Sequence, residues 1–238
     1  MDYFLYGTAL RVFFVLSTAV CNHIVYRRPS GAATEKEQQH PDSAVSRFAL
    51  LFVSTYVVVI YGVALLDVYI ALCYLNTSLI HPILYHLLTR GIMGHPTLNS
   101  IQLLGISIPY FGTYLRLLCF RTLGEFFTFE LAIRKDHRLC THGPYSIVRH
   151  PSYTAVFMSN IGVGLVLFGQ GSVWWTYRLI EMLAGSVLWY FWVVTHLLGV
   201  ASIFGRMRAE DKALKDNFGE EWVRWYTQVP YRLIPYVY

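Results

Sequence analysis

His137-Arg138-Leu139-Cys140-Thr141-His142-Gly143-Pro144-Tyr145-Ser146-Ile147-Val148-Arg149-His150-Pro151-Ser152-Tyr153 runs without a break into an apolar stretch that ends at about residue 169. Charge this dense is costly beside hydrocarbon, so an ionisable group in such a place is functional by default. The same juxtaposition recurs once. Arg206-Met207-Arg208-Ala209-Glu210-Asp211 follows another long apolar stretch, with Phe218-Gly219-Glu220-Glu221-Trp222 behind it.

Outward from these two stretches, runs long enough to cross roughly 30 Å of hydrocarbon fall at about 3–26, 48–75, 98–119, 153–169 and 173–204. The expected fold is therefore all-α, a polytopic membrane protein of about five transmembrane helices. The fourth run is barely long enough. The fifth is too long, and its early Arg178 and Glu181 place its first turns at the interface, paired at i, i+3. Leu79–Leu88, interrupted by Pro82, reads as an interfacial segment.

Composition agrees. Hydrophobic residues make up 55% of the 238 and charged residues only 14%, against about 25% charged in soluble domains. The length fits one domain, residues 1–238. The net charge of +5 is spread over short loops, so no nucleic-acid face is expected. Cys21, Cys73, Cys119 and Cys140 form no CxxC pair and are expected to be free thiols. The first apolar run is longer than a signal-peptide core and lacks a small-residue cleavage site, so a span is expected there.

Basic residues set an orientation. Arg27, Arg28, Lys36 and Arg47 follow span one; Arg121, Arg134, Lys135, Arg138 and Arg149 follow span three; Arg206, Arg208, Lys212, Lys215, Arg224 and Arg232 lie in the tail. The alternate loops offer only Arg90, so the three basic segments are expected on the cytosolic side. Residues 27–47 read as a polar loop, and the sequon Asn76-Thr77-Ser78 reads as a plain loop. Asp67 is either a functional intramembrane acid or a paired one. Arg116 is expected to snorkel to the interface. Arg206 to Tyr226 reads as an amphipathic helix interrupted at Gly219, with Leu214, Phe218, Trp222 and Trp225 on one stripe. That stripe lies on the membrane surface or closes over the polar loop.

Several chemistries lack support. His137, Cys140, His142 and His150 match no tetrahedral zinc spacing. Gly162-Val163-Gly164 sits inside a span, where close helix packing is the expected role. No phosphate loop and no G-x-S-x-G elbow occurs. Gly143-Pro144-Tyr145, by contrast, forces a turn, and Pro151 suits the first turn of span four. A helix N-terminus beside Arg149 and His150 can hold an anion.

The stretch His137 to Tyr153, then Arg206, Glu210-Asp211, Phe218-Gly219-Glu220-Glu221-Trp222, Tyr226, Val229-Pro230 and Ile234-Pro235, resembles the isoprenylcysteine carboxyl methyltransferases. The acidic pair is Glu-Asp where many relatives have Glu-Glu. The resemblance covers roughly the last 120 residues, and divides the chain into N-terminal spans (1–119) and a catalytic region (120–238). It implies S-adenosylmethionine as cofactor, the C-terminal carboxylate of prenylated CaaX proteins as substrate, and an endoplasmic reticulum membrane protein whose cytosolic pocket is closed by a C-terminal helix. It implies that Glu130, His137, Arg138, Leu139, Cys140, Tyr145, His150, Pro151, Ser152, Tyr153 and Glu210 line the cofactor pocket, and that Arg206 meets the substrate. Gly143, Pro144, Arg149 and Asp211 support them, and no metal is expected. On this resemblance Glu210 takes the cofactor's ammonium while His150 and nearby backbone N–H groups hold its carboxylate. Related enzymes methylate phospholipid amines, which is the alternative. A transporter would instead scatter polar residues through several spans, whereas in the sequence they gather at the cytosolic ends.

Overall fold

The computed structural model describes residues 2–27, 29, 44–76, 96–128 and 136–238. Among these the regular structure is helical throughout: α1 (Asp2–Tyr26), α2 (Ala44–Leu75), α3 (Ser100–Leu123), α4 (Pro151–Phe168), α5 (Leu183–Phe218) and α6 (Glu220–Gln228), with short 3-10 and single helical turns between them. Segments of α1, α3, α4 and α5 are long and apolar enough to cross a membrane, and Val57–Cys73 of α2 is a shorter apolar stretch. The chain is thus all-helical and polytopic in character. Much of the 27–47 loop, the Leu79–Leu88 segment and Thr77-Ser78 lie outside the described residues, as do Arg28, Lys36, Arg90, Arg134 and Lys135.

The fifth span differs from the continuous 173–204 run read in the sequence. Val173–Thr176 is a single turn capped by Ser172, whose side chain accepts from the Trp175 amide. Arg178 then adopts a left-handed backbone with φ of 50°, and a 3-10 turn follows at Leu179–Glu181. Such a conformation cannot continue a right-handed helix, so α5 starts afresh at Leu183. Val173 and Tyr177 pack with Ile70 and Cys73 of α2 instead. Arg178 and Glu181 do pair at i, i+3, on the surface. At its other end α5 runs on through the supposed start of the amphipathic helix to Phe218. The break comes at Gly219, where φ of 52° requires a residue without a Cβ penalty.

The chain groups into two compact units. The first comprises Met1–Ile24, Thr55–Phe111 and Met158–Thr195. Here α3 and α4 approach closely through glycine. A Cβ on Gly162 would lie 2.2 Å from Pro109 Cδ and 2.7 Å from the Gly105 carbonyl oxygen. Buried Arg11, on α1, donates to both Asp67 and Gln102. Asp67 is therefore a paired acid. This pair also corrects the expectation that polar residues keep to the helix ends, although its two charges are opposed to one another. Asn22 reaches Ser159 at 3.1 Å. Phe168 gathers Trp174, Trp189 and Trp192 at ring-centroid distances of 5.1, 4.9 and 4.8 Å.

The second unit comprises Val25–Ser54, Gly112–Phe157 and His196–Tyr238. Its apolar core is Cys119, Tyr145, Trp222, Trp225 and Val229, with Leu115, Leu123, Leu139, Leu214 and Phe218 packed against it. The Leu214–Trp225 stripe thus faces inward over the polar loop. Trp225 confirms the direction, since its indole N–H donates to the Tyr145 carbonyl at 3.1 Å. Arg116 corrects another expectation. It does not snorkel; it is 5% exposed and donates to the Val25 carbonyl at 3.0 Å and to the hydroxyl of Ser152. Its guanidinium lies over Phe120 and Phe127.

The glycine contact makes a prediction. Gly162→Ala places a methyl against a proline ring and a main-chain oxygen, and overpacking of this kind costs about 1–3 kcal/mol. Gly62→Ala meets nothing within 4 Å and serves as the control. Equilibrium unfolding in detergent should show a loss for the first and none for the second. Equal stability of the two would contradict the packing.

Candidate active site

The polar cluster of the second unit is built where α4 begins. Gly143–Ser146 forms a 3-10 turn as the sequence required, with Pro144 at its start and Tyr145 buried. Pro151 then opens α4, bringing Arg149, His150 and Tyr153 against the last turns of α5. His150 is 5% exposed. Its Nε2 lies 3.0 Å from Asp211 Oδ1 and its Nδ1 lies 3.5 Å from Glu210 Oε2. Tyr153 donates to Glu210 Oε1 at 2.5 Å, and Arg206 Nε donates to the same oxygen at 3.0 Å.

The two acids differ in kind. Asp211 is met by three cations: His150, Arg149 at 3.5 Å and Arg232 at 3.1 Å, and its side chain is only 8% exposed. Glu210 is 24% exposed and its partner Arg206 is 23% exposed. A carboxylate offers about four acceptor sites, and the three donors to Glu210 leave room for one more. Asp211 is a closed, structural acid; Glu210 and Arg206 form the open pair.

His150 faces an acid from each ring nitrogen, so only its doubly protonated form donates to both. Burial presses its pKa down, but the hydrogen bonds to Asp211 and Glu210 and their charges outweigh that, leaving it raised. Burial also raises the Cys140 thiol and holds Tyr145 well above the ordinary phenol value.

The other expected pocket residues divide. Glu130 lies outside the described residues. His137 sits between the rings of Phe126 and Phe218, at 4.7 and 5.8 Å, and Leu139 and Cys140 border the apolar core. Arg138 is exposed. Tyr145 belongs to that core, Pro151 is fully buried, and the Ser152 hydroxyl is committed to Arg116. The amide of His150 donates to the Arg232 carbonyl at 2.8 Å. Both ring nitrogens and the amide of this residue are thus directed at the protein itself. Sequence reasoning missed Arg232, counted only among the tail charges, and Arg116; neither has a local signal, because their partners lie 21 and 36 residues away.

Comparison with known proteins follows the same lines. Residues 104–184 match the isoprenylcysteine carboxyl methyltransferase family. The match takes in most of α3, the turn at Gly143 and the whole of α4, and it agrees with the resemblance read from the motifs. The chain is similar to protein-S-isoprenylcysteine O-methyltransferase B of Arabidopsis thaliana, 28% identical over 128 residues, 53% of this chain and 55% of that protein. It is also similar to the protein-S-isoprenylcysteine O-methyltransferases of Saccharomyces cerevisiae and Schizosaccharomyces pombe. Each is 30% identical, over 53% and 50% of this chain and 46% and 43% of theirs. The chain spans about half the length of the curated relatives it matches.

Two outcomes follow from the charges. Asp211→Asn strips a closed carboxylate from three cations and should cost about 3–5 kcal/mol, whereas Arg206→Ala, in a half-open i, i+4 pair, should cost about 1 kcal/mol or less. A histidine whose pKa is raised by folding adds stability that is full below its unfolded pKa, about 6.5, and is lost as pH rises through the folded value. Denaturant unfolding should therefore show stability falling above pH ~6.5, with the slope flattened in His150→Gln. Parallel profiles for wild type and variant would contradict the paired imidazolium.

Proposed function

We propose that this protein methylates the C-terminal carboxylate of a prenylated cysteine, with S-adenosylmethionine as methyl donor. The observation that carries the reading is the open Arg206–Glu210 pair, backed by His150 and Tyr153, at the polar end of apolar helices whose neighbours match the methyltransferase family. The donor set fits the cofactor's amino-acid end: Glu210 has an acceptor position to spare and a rigid support behind it. When bound, that cofactor supplies a methyl on positively charged sulfur, open to in-line displacement.

Each residue then has a definable task. Glu210 takes the cofactor's ammonium, and His150 and Tyr153 hold Glu210 in place. Tyr153 also presents its ring beside His150, with centroids 5.8 Å apart. Leu139 and Cys140 border the apolar core and suit the flat, less polar end of the cofactor. Arg206 has five N–H donors, of which Nε is committed to Glu210, and its remaining edge orients the substrate carboxylate. That carboxylate has a pKa of about 3.5 and is already ionised, so no general base is required. With the cofactor held by Glu210, transfer of its methyl group to that carboxylate would give a methyl ester and S-adenosylhomocysteine. The protein contributes alignment and shelter from water.

The excess of Lys and Arg in alternate loops supports a site on the cytosolic face, in an endoplasmic reticulum membrane as the resemblance implies. A polar cofactor then arrives from the cytosol, while a prenyl chain reaches the site from the bilayer.

The two halves of the open pair are separable. Glu210→Gln removes a charge-assisted contact worth about 1.5–3 kcal/mol, so calorimetric affinity for S-adenosylhomocysteine should fall roughly ten- to a hundredfold. Arg206→Ala should leave that affinity nearly intact while cutting turnover on a farnesylcysteine substrate, and Arg206→Lys should restore only part, because an ammonium lacks the planar fork. Unchanged cofactor affinity in the Glu210 variant, or full activity in the Lys variant, would overturn these assignments.

A further inference from the structure

We infer that Arg232 is a positioning residue for this site, gripping His150 from both ends and so fixing how that imidazole supports Glu210. The inference rests on the functional reading above and extends it to a residue outside the catalytic pair.

The tail segment 229–233 is bound to the head of α4 with unusual completeness. Five successive carbonyls accept hydrogen bonds from it. Val229 and Pro230 accept from Arg149 Nη1 at 2.9 and 2.6 Å, Tyr231 from the Arg149 amide at 2.9 Å, Arg232 from the His150 amide at 2.8 Å, and Leu233 from the Thr154 hydroxyl at 2.8 Å. The Arg149 guanidinium also lies 4.5 Å from the Tyr226 ring centroid. A chain segment with no helix or strand of its own is thereby held in register with the residues that matter most.

Arg232 adds a second hold. Its Nε donates to Asp211 Oδ2 at 3.1 Å, while Asp211 Oδ1 faces His150 Nε2 at 3.0 Å. One residue thus anchors the His150 main chain through its own carbonyl and the His150 ring through Asp211. Tyr238 steadies the guanidinium, its hydroxyl accepting from Arg232 Nη1 at 2.8 Å. With Oδ2 occupied, the carboxylate plane of Asp211 is fixed and Oδ1 is aimed at the imidazole. The charged and titratable groups facing His150 are then Asp211 and Glu210 directly, with Arg149, Arg232, Arg206 and Tyr153 behind them.

The test uses the full-length protein in nanodiscs, with Arg232→Gln, Arg232→Lys and Tyr238→Phe. Histidine side-chain NMR, with His150 assigned through His150→Gln, reads the imidazole directly. Arg232→Gln removes a cation that competes for Asp211, so the His150 pKa should rise by about 0.5 unit or more. Arg232→Lys should stay near the wild-type value. Tyr238→Phe should move it in the same direction as Gln by a smaller amount, and keeps the test alive if the Gln variant does not fold. Turnover in methyl transfer should fall about tenfold or more in Arg232→Gln, its pH profile shifting with the histidine, and Lys should restore most of it. An unmoved His150 in both Gln and Phe variants, with wild-type turnover, would overturn the inference. Should the wild-type protein transfer no methyl group to a prenylcysteine, the functional reading fails by itself, and the NMR result still decides the positioning role.

Discussion

Asp211 is the constraint on which the rest of the second unit depends. A carboxylate nearly removed from water costs several kcal/mol unless cations and hydrogen bonds meet it. Arg149, His150 and Arg232 do so, from the head of α4 and from the tail. Satisfying this one group fixes how far α5 must extend beyond its apolar stretch, where α4 must start, and which carbonyls the tail must turn inward. Consecutive helix residues point about 100° apart, so an acid one position earlier, Glu210, faces a different environment from the same backbone. Proximity to Asp211 gives it a rigid support; its own direction leaves it open. A closed acid and a more open one thus arise side by side.

The segment matched by the methyltransferase family ends at residue 184 and includes neither Arg206 nor Glu210. Geometry connects the two regions. His150 and Tyr153, inside the matched segment, are bonded to Glu210 and Asp211, outside it, and the carbonyls of 229–233 lie along the same helix head. Hydrogen bonds between named atoms therefore join the matched segment to the end of α5.

Local signals and long-range pairings account for what the sequence did and did not disclose. Apolar length located α1 to α4 within a few residues, because crossing a bilayer leaves a continuous imprint. The turn at Gly143, the start at Pro151, the packing role of Gly162 and the break at Gly219 were legible for the same reason: each is dictated by its own backbone chemistry. The gathering of Arg149, His150, Tyr153, Arg206, Glu210 and Asp211 was legible through the paired motifs. Arg11 with Asp67, Arg116 with Ser152 and Arg232 with Asp211 were not, since no periodicity announces a partner 56, 36 or 21 residues away. The excess length of the fifth run and the Arg178–Glu181 pair at its start were legible, but the left-handed turn at Arg178 that ends the first part leaves no mark in hydropathy.

The central claim is that this polar cluster transfers a methyl group to an isoprenylcysteine carboxylate. Purified protein in nanodiscs, supplied with methyl-labelled S-adenosylmethionine, should convert N-acetyl-S-farnesylcysteine to a base-labile methyl ester. The same preparation should leave phosphatidylethanolamine unlabelled. Label in the phospholipid with none in the prenylcysteine would contradict the account and assign the site to lipid amines instead.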